Sequence, residues 1–177
     1  MKFKILRFKK LRSTNDTARR IIRNSNLDYG MIITEIQSHG RGQYGKKWVS
    51  LKGNLFVSFF FNLENISLTI KQLTKKNCLL VKKLISKYYK KRIIYKKPND
   101  LLVKGKKICG ILQETVKRLN KEFLIVGIGI NLIKNPIISN YPTINLNNLV
   151  NKKISKKEIE IELKNIFEKN FKLKKSK

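Results

Sequence analysis

The chain has 177 residues, with 41 Lys plus Arg against 11 Asp plus Glu, one His and 41% apolar content. This length suits one domain with a hydrophobic core, and no window approaches the roughly 18 uncharged apolar residues that a membrane-spanning helix needs. The first residues, MKFKI, lack the apolar segment of a signal peptide. We therefore predict a single cytoplasmic domain over residues 1–177, without a membrane partner.

The net charge of +30 allows two interpretations. Clustered Lys and Arg neutralise phosphates, so the charge could indicate a nucleic-acid partner. However, 33 of the basic residues are Lys, they are dispersed along the chain, and the A/T-rich codon residues Ile (24) and Asn (18) are also abundant. We favour a solvated, compositionally driven surface and keep a polyanion-binding surface as the alternative.

The two cysteines, Cys78 and Cys109, are far apart in sequence. They form neither a disulfide framework nor a CxxC metal motif, and a single His cannot complete a catalytic set with them. We predict free thiols, with Cys109 a small buried side chain of a strand, and no metal ligation by His or Cys.

In the first third of the chain, the pattern predicts a strand over residues 3–11 and a helix over residues 15–23, which follows Ser13 and Thr14. Residues 30–37 and 54–61 are β-branched and aromatic runs, typical of buried strands. The loop between them, residues 38–53, holds four of the nine glycines.

In the rest of the chain, residues 68–91 have the apolar spacing of a long amphipathic helix. Short strands are predicted at 93–95 and 101–103, followed by a hairpin turn and by strands at 107–116 and 123–131. Ser155 has capping-box spacing to Glu158 and begins the last helix, and residues 171–177 form a frayed tail. The pattern predicts an α+β domain with a mixed, mainly antiparallel sheet backed by helices.

The sharpest local feature is the loop HGRGQYGKKW, residues 39–48. Its three glycines leave backbone N–H groups unobstructed and its basic side chains add positive charge, so the loop could wrap an anionic, phosphate-like ligand. It is neither a Walker loop nor a dinucleotide fingerprint. The alternative is a flexible basic hairpin loop.

Three further stretches have weaker signals: KKPND at 96–100, GKKICGIL at 105–112 and GIGIN at 127–131. Alternation along the second stretch predicts Lys107, Cys109 and Ile111 on one face of a strand, with Gly110 and Leu112 on the other. In the third, alternate glycines leave one strand face bare. The three stretches form one site only if their strands are adjacent.

In their order and spacing, six stretches resemble those of biotin–protein ligases, the enzymes that biotinylate the carrier protein of acetyl-CoA carboxylase. The resemblance covers about residues 3–148 and is carried by residues 13–15 (STN), 35–48 (EIQSHGRGQYGKKW), 54–60, 96–100, 105–114 and 126–132.

This resemblance implies the catalytic-domain fold shared with class II aminoacyl-tRNA synthetases and lipoate ligases. It implies that biotin and MgATP give biotinyl-5′-AMP and pyrophosphate, after which biotin passes to a lysine of the biotin carboxyl carrier protein. The small β-barrel that usually follows this domain in the family is not expected, because the sequence ends soon after the last predicted helix. We also expect no N-terminal helix-turn-helix and no specific DNA target, because no such domain precedes Met1. Family members often dimerise through a sheet edge, which leaves a homodimer open.

Site roles follow from the same resemblance. Lys107 and Arg41 are the expected catalytic residues, and Asp100 is the expected Mg²⁺ ligand. The expected biotin-binding residues are Ser13, Thr14, Asn15, Gln37, Gly40, Arg41, Gly42, Gln43, Lys107, Gly110, Leu112 and Gly127. The expected ATP- and adenylate-binding residues are Arg41, Lys46, Trp48, Lys96, Asn99, Asp100, Lys107 and Asn131.

Two positions depart from the family pattern: Lys97 replaces an aromatic residue, and Gln43 replaces an arginine. Two other functions remain as alternatives. A lipoate or octanoate ligase would have the same fold, but Gln37 and the Ser13–Thr14 pair favour the polar ureido ring of biotin. A basic nucleic-acid-binding protein on a degenerate ligase fold is the second alternative.

Overall fold

A seven-stranded sheet in the order β1-β2-β3-β7-β6-β5-β4 organises the computed structural model, which describes residues 2–64, 66–150 and 154–171. Only β1 and β2 pair in parallel, and the other neighbours are antiparallel. The predicted α+β class and mainly antiparallel sheet are therefore confirmed. The strands are β1 Lys4–Leu11, β2 Tyr29–Gln37, β3 Leu55–Asn62, β4 Ile94–Lys96, β5 Asp100–Val103, β6 Lys106–Arg118 and β7 Lys121–Ile130.

Three helices cover the sheet: α1 Thr14–Asn24 on one face, and α2 Ile70–Tyr88 with α3 Lys156–Asn170 on the other. Strand β3 lies inside the sheet between β2 and β7 and is buried along its whole length, because both of its faces are covered. Phe60 packs in the cluster under α1, whereas Phe59 faces α3 and stacks on Phe167 with ring centroids 4.1 Å apart.

Polar side chains fix the helix starts. The Ser13 hydroxyl accepts a hydrogen bond from the Asp16 N–H and so caps α1. At α2, Thr69 and Gln72 form a reciprocal capping box. The helix therefore begins at Ile70, two residues after its predicted start at position 68. The Ser155 hydroxyl caps α3 by accepting from the Glu158 N–H at 3.3 Å.

Both cysteines are free thiols, as predicted, and Cys78 is buried as well as Cys109, for which burial was predicted. Burial raises the pKa of Cys78 to about 12 and that of Cys109 well above its usual value. Because the thiolate is the reactive form of cysteine, neither residue is suited to act as a nucleophile.

One detail of the predicted tail is wrong. Phe171 was assigned to the tail, but it is 4% exposed and packs against Phe61 and Phe167, because the apolar stripe of α3 continues into it. The remaining tail residues, 172–177, lie outside the described residues. Among the described helices, none combines the length and apolar character needed to cross a membrane.

Candidate functional site

A cavity of about 880 Å³ opens on the α1 side of the sheet, over β6 and β7. This volume falls in the range of small-molecule sites. The cavity brings together residues from five of the six matching stretches, all but residues 54–60. Its lining includes these residues of the predicted site: Ser13, Thr14, Asn15, Gln37, Arg41, Gly42, Gln43, Lys46, Trp48, Lys96, Asn99, Asp100, Lys107, Gly110, Leu112 and Gly127.

Two residues of the predicted site lie elsewhere. Gly40 is buried behind the wall, where an added Cβ would lie 2.5 Å from the Trp48 carbonyl oxygen and 3.1 Å from the Gln37 amide nitrogen. Asn131 lines a small adjoining cavity with Trp48 and Lys107. Both are therefore placed behind groups that line the main cavity.

A polar wall stands where α1 begins. The Thr14 N–H and hydroxyl both donate to Gln37 Oε1, at 2.8 and 3.1 Å, and the Gln37 amide nitrogen donates to Ser50. The Ser58 hydroxyl on β3 donates to Asn15 Oδ1 at 2.6 Å. These bonds hold the wall in one arrangement before any ligand arrives. Ser58 was not predicted as part of the site, because it is one polar residue in an aromatic strand.

Glycines form the floor. An added Cβ at Gly127 would lie 2.3 Å from Asn15 Oδ1, and one at Gly129 would lie 2.4 Å from the Trp48 indole. Gly110 on β6 also lies beneath this indole, at 2.7 Å by the same measure. Gly127 and Gly129 therefore share one bare strand face, as predicted. They let a polar side chain and a large ring lie directly on the sheet.

The orientation of Lys107 differs from the prediction. The pairing of β5 with β6 shifts so that Leu101 opposes Cys109 while Leu102 opposes Lys107, which leaves Ile108 as an extra residue. Because a bulge interrupts alternation, Lys107 lies over Gly110, and an added Cβ there would be 3.3 Å from Lys107 Nζ. The prediction is therefore wrong for Lys107, whereas Cys109 and Ile111 share one face and pack in the same core cluster.

Lys107 lies among groups that stabilise a cation. Its Nζ is 2.9 Å from Asp100 Oδ1, and its side chain is 15% exposed. The Nζ also lies 5.4 Å from the Trp48 ring centroid and 5.0 Å from that of Tyr141, within cation–π distance. Tyr141 belongs to the segment 137–142, which lines the cavity and which the sequence analysis missed because it matches no motif.

Arg41 is anchored by carboxylates. Its Nη2 lies 2.7 Å from Asp16 Oδ1 on α1 and 2.9 Å from Glu114 Oε2 on β6. Glu114 also pairs with Arg19 and accepts a hydrogen bond from Asn15. Neither carboxylate was predicted in the site, although Glu114 ends one of the six matching stretches.

The loop that carries Arg41 is folded on itself. The Trp48 N–H donates to the Gly40 carbonyl at 2.9 Å, and the Gly42 N–H donates to the Lys46 carbonyl at 2.6 Å. A 3-10 turn at Gln43–Gly45 reverses the chain, with Tyr44 and Gly45 at φ of 54° and 72°. These bonds and the Arg41 ion pairs fix the loop along the cavity wall.

Two asparagines of the site, Asn99 and Asn131, donate hydrogen bonds that hold neighbouring backbone segments in place. The Asn99 amide donates to the Ile111 carbonyl at 2.7 Å and holds the 96–100 turn against β6. The Asn131 amide nitrogen donates to the Ile144 carbonyl at 3.2 Å, while its buried Oδ1 has no partner. A buried acceptor without a partner among the described residues is costly, and the fold leaves Asn131 Oδ1 in this state beside the small cavity.

The fold is a mixed sheet with helices on both faces, and a cavity lined by polar and charged side chains opens over β6 and β7. Together these features are typical of the catalytic domain of ligases related to class II aminoacyl-tRNA synthetases. The chain belongs to the Biotin/lipoate A/B protein ligase family, whose pattern matches residues 8–131.

Named relatives agree with this assignment. The chain is 34% identical over 102 residues to the bifunctional ligase/repressor BirA of Escherichia coli, and 30% identical over 128 residues to BirA of Bacillus subtilis. These matches cover 56% and 71% of this chain but 32% and 39% of the relatives, so the chain spans about a third of their length. The biotin protein ligase of Aquifex aeolicus, solved with biotin and ATP, superposes with a TM-score of 0.78 at 28% identity and covers 94% of this chain and 69% of its own.

Proposed function

We propose that the chain is the catalytic domain of an ATP-dependent biotin–protein ligase. In the first step a carboxylate oxygen of biotin attacks the α-phosphorus of ATP and pyrophosphate leaves. In the second step a lysine amine of a biotin carboxyl carrier protein attacks the acyl carbon, AMP leaves and one proton is released. The observation that carries this proposal is the placement of Lys107, beside Asp100 and above Gly110, in a cavity with a polar wall.

The first step joins two anions, so its main requirement is a fixed cation near the reacting oxygens. Lys107 meets this requirement because its ammonium is largely shielded from water and held by Asp100. In our proposal, Lys107 contacts the biotin carboxylate and the α-phosphoryl oxygen of ATP. Lys107 acts by charge and does not need to remove a proton.

For biotin we assign Thr14 and Gln37 to the ureido ring, with Ser13 and Asn15 beside them. Their mutual hydrogen bonds set these groups in place before binding, which reduces the ordering that binding requires. Gly110 and Gly127 give the floor on which the ligand approaches the sheet. Gly42, Gln43 and Leu112 complete the proposed contacts, and Gly40 supports Gln37 from behind the wall.

For the adenylate we assign Arg41, Lys46, Trp48, Lys96, Asn99 and Asn131. The unpaired Asn131 Oδ1 supports a hydrogen bond from the adenine amino group. Mg²⁺ would neutralise phosphate charge, with Asp100 as one carboxylate ligand and phosphate oxygens and water as the rest. Asp100 suits that role because it is the one carboxylate among the described residues that line the cavity.

A lipoate or octanoate ligase is the second candidate, because the matching family includes lipoate ligases. The polar wall favours biotin, because a plain acyl chain has no polar group that could form hydrogen bonds with Thr14 and Gln37. The deciding experiment is exchange of labelled pyrophosphate into ATP with biotin, lipoate or octanoate. We expect exchange with biotin alone, and exchange with only the fatty acids would refute the proposal.

A further inference from the structure

Helix α2 carries its exposed charges in one row. Four exposed lysines lie along it with four-residue spacing, and the exposed Leu79 takes the middle position: Lys71, Lys75, Lys83 and Lys87. We call these four lysines the basic ridge. Because residues four apart are neighbours on a helix surface, the ridge forms a line about 24 Å long, at about 1.5 Å per residue. The fold therefore gathers on one surface a part of the positive charge that is dispersed in the sequence.

The charge of the basic ridge is largely unbalanced. Helix α2 contains six Lys and no Asp or Glu, and the sequence has eleven Lys and Arg but no acid between Glu64 and Asp100. Three of the four ridge lysines form no ion pair with a carboxylate of the described residues. The fourth, Lys87, pairs with Glu162 of α3 at 2.8 Å. The ridge therefore attracts an anionic partner.

The neighbouring helix α3 is built differently, although it belongs to the same lysine-rich chain. It packs with α2 in one core cluster, and its four Lys are matched by four Glu. Lys164 and Glu168 of α3 form an ion pair at four-residue spacing, with 2.7 Å between Nζ and Oε1. Like charges at this spacing destabilise a helix slightly, so α2 contains a repulsion that α3 avoids. A repulsion confined to one of two adjacent helices favours a binding surface over a uniform compositional excess of lysine.

We propose that the basic ridge binds the phosphate backbone of duplex nucleic acid, independently of base sequence. Each four-residue step advances about 6 Å along the helix, close to two of the phosphate steps of about 3.4 Å along one strand of a duplex. Lysine is a compact point charge without the planar fork that binds a base edge through two hydrogen bonds. Its contacts are therefore to phosphates, which position a protein on a duplex but carry no sequence information.

The side chains of α2 favour a duplex over a single strand. Proteins that bind single strands combine cations with aromatic rings on which the bases stack. Tyr88 is the only aromatic residue of α2, and it is half-buried with its hydroxyl donating to Glu162 at 3.2 Å. The exposed apolar residue within the row, Leu79, is aliphatic. The ridge therefore offers cations for phosphates and no ring for a base.

The same helix is poorly suited to a lipid surface. A helix that lies on a membrane inserts its apolar face among the lipids. The apolar face of α2 is buried in the core, through residues such as Leu73, Val81 and Leu84. The large apolar side chains that α2 exposes are Ile70 and Leu79, at 45% and 44%. An anionic lipid surface would therefore be held by charge alone, without insertion.

The basic ridge is separate from the proposed chemistry. Helix α2 covers the sheet face opposite α1, whereas the main cavity opens on the α1 side. No ridge lysine is among the described residues that line the main cavity or the small adjoining one. The inference therefore goes beyond the proposed function, and the chain can bind a duplex whether or not it ligates biotin.

Charge removal from the ridge tests the proposal. The ridge variant replaces the three unpaired ridge lysines with glutamine: Lys71→Gln, Lys75→Gln and Lys83→Gln. The probe is a fluorescently labelled 20-base-pair DNA duplex of arbitrary sequence, and its anisotropy is measured over a range of NaCl concentrations. We expect the slope of log K against log [NaCl] to flatten by about 0.9 for each lost phosphate contact, or about 2.7 in total. The Kd at 0.1 M NaCl should rise at least about tenfold.

A matched control separates the ridge from net charge. Lys9→Gln, Lys106→Gln and Lys117→Gln together remove the same three charges from exposed lysines of β1 and β6 that have no ion pair among the described residues. This control should flatten the slope by less than about one. A duplex RNA of the same length should behave as the DNA duplex does, and a single strand should bind more weakly.

Thermal unfolding shows whether the ridge variant is folded. Removal of like charges at four-residue spacing should leave its melting temperature equal to that of the parent or higher. Lys75→Gln alone is a milder second variant, for which the slope should flatten by about 0.9. Biotin-dependent pyrophosphate exchange should be the same in the ridge variant and in the parent, with or without the duplex.

Four results would overturn the inference. The first is equal flattening in the ridge variant and the control, which would attribute binding to net charge. The second is absence of duplex binding by the parent at 0.1 M NaCl, and the third is tighter binding of a single strand. The fourth is ridge-dependent binding of phosphatidylserine vesicles without binding of a duplex. Failure of the proposed function is distinguishable, because it appears as absence of pyrophosphate exchange in the parent and leaves the anisotropy unaffected.

Discussion

The ammonium of Lys107 and the carboxylate of Asp100 form an ion pair with 2.9 Å between Nζ and Oδ1, and both side chains are less than a quarter exposed. Within residues 2–64, 66–150 and 154–171, Asp100 Oδ1 has no well-directed hydrogen bond, although Lys107 Nζ lies 2.9 Å away. Charge attraction therefore positions Lys107 and leaves its N–H groups free to turn toward a ligand.

Replacing the cation should stop the first chemical step. We expect Lys107→Ala to lower biotin-dependent pyrophosphate exchange by about 100-fold or more, because removal of one fixed charge-stabilising donor has costs of this size. The neighbouring exposed residue provides the control: Lys106→Ala should exchange like the parent. Near-normal exchange by Lys107→Ala would refute the role assigned to Lys107.

Removing the charge from Asp100 should release Lys107 from its position. For Asp100→Asn we expect exchange to fall by about tenfold or more, and half-maximal exchange to require more Mg²⁺. Asp28→Asn is the control, since Asp28 is ion-paired with Arg118 and Lys121 away from the cavity. An unchanged Mg²⁺ requirement in Asp100→Asn would argue against a metal role for Asp100.

Freeing the glycine-rich loop should let the intermediate escape. Arg41 ties the loop to Asp16 on α1 and Glu114 on β6, so Arg41→Ala removes both ties. We expect faster release of the adenylate, detected as biotinylation of lysines on added bystander proteins. The control is Arg20→Ala, at an exposed arginine of α1, and this variant should retain the adenylate as the parent does. Equal retention in both variants would contradict this prediction.

The floor can be tested through the only tryptophan of the chain. Gly129→Ala places a methyl group 2.4 Å from the Trp48 indole, so the ring must move away from the sheet. We expect the Trp48 fluorescence to shift to longer wavelength as the ring becomes hydrated, and exchange to fall. Ile128→Val changes the opposite face of β7 and should leave the fluorescence unchanged. A parent-like spectrum for Gly129→Ala would place the ring elsewhere.

The loss of stability toward low pH should depend in part on Glu168. Burial alone would raise the pKa of its carboxyl, but bonds from Lys164 and the Phe3 N–H outweigh burial and hold the pKa below its usual value. A lowered carboxyl pKa contributes stability above the pKa of the unfolded chain, and this contribution is lost as pH falls through the folded value. Glu168→Gln should therefore be less stable than the parent by about 1–2 kcal/mol at pH 7.

Urea unfolding of both proteins across pH 3–7 measures this difference, which should shrink as the pH falls. Replacement of Glu122, an exposed acid in β7 without an ion pair among the described residues, by Gln provides the control. A stability difference that stays constant over this range would mean that Glu168 acts by packing and not by charge.

The sequence by itself determined most of the local structure. Hydrophobic periodicity predicted the strands and helices to within a few residues, because an element that buries one face has apolar side chains at a regular spacing. The Ser13 and Ser155 caps could also be predicted from the sequence, because a cap is a contact between near neighbours in sequence. The order of the six motifs was sufficient to identify the family.

Only the tertiary structure decided which way Lys107 points and what holds Arg41. The β5–β6 bulge depends on how two strands pair, and no alternation rule within one strand can reveal it. Likewise, Asp16 and Glu114 meet Arg41 from elements 25 and 73 positions away, and Tyr141 reaches Lys107 from a loop without a motif. Such contacts depend on how the elements pack in space, because Coulomb attraction acts over distance in the folded molecule and not over separation along the chain.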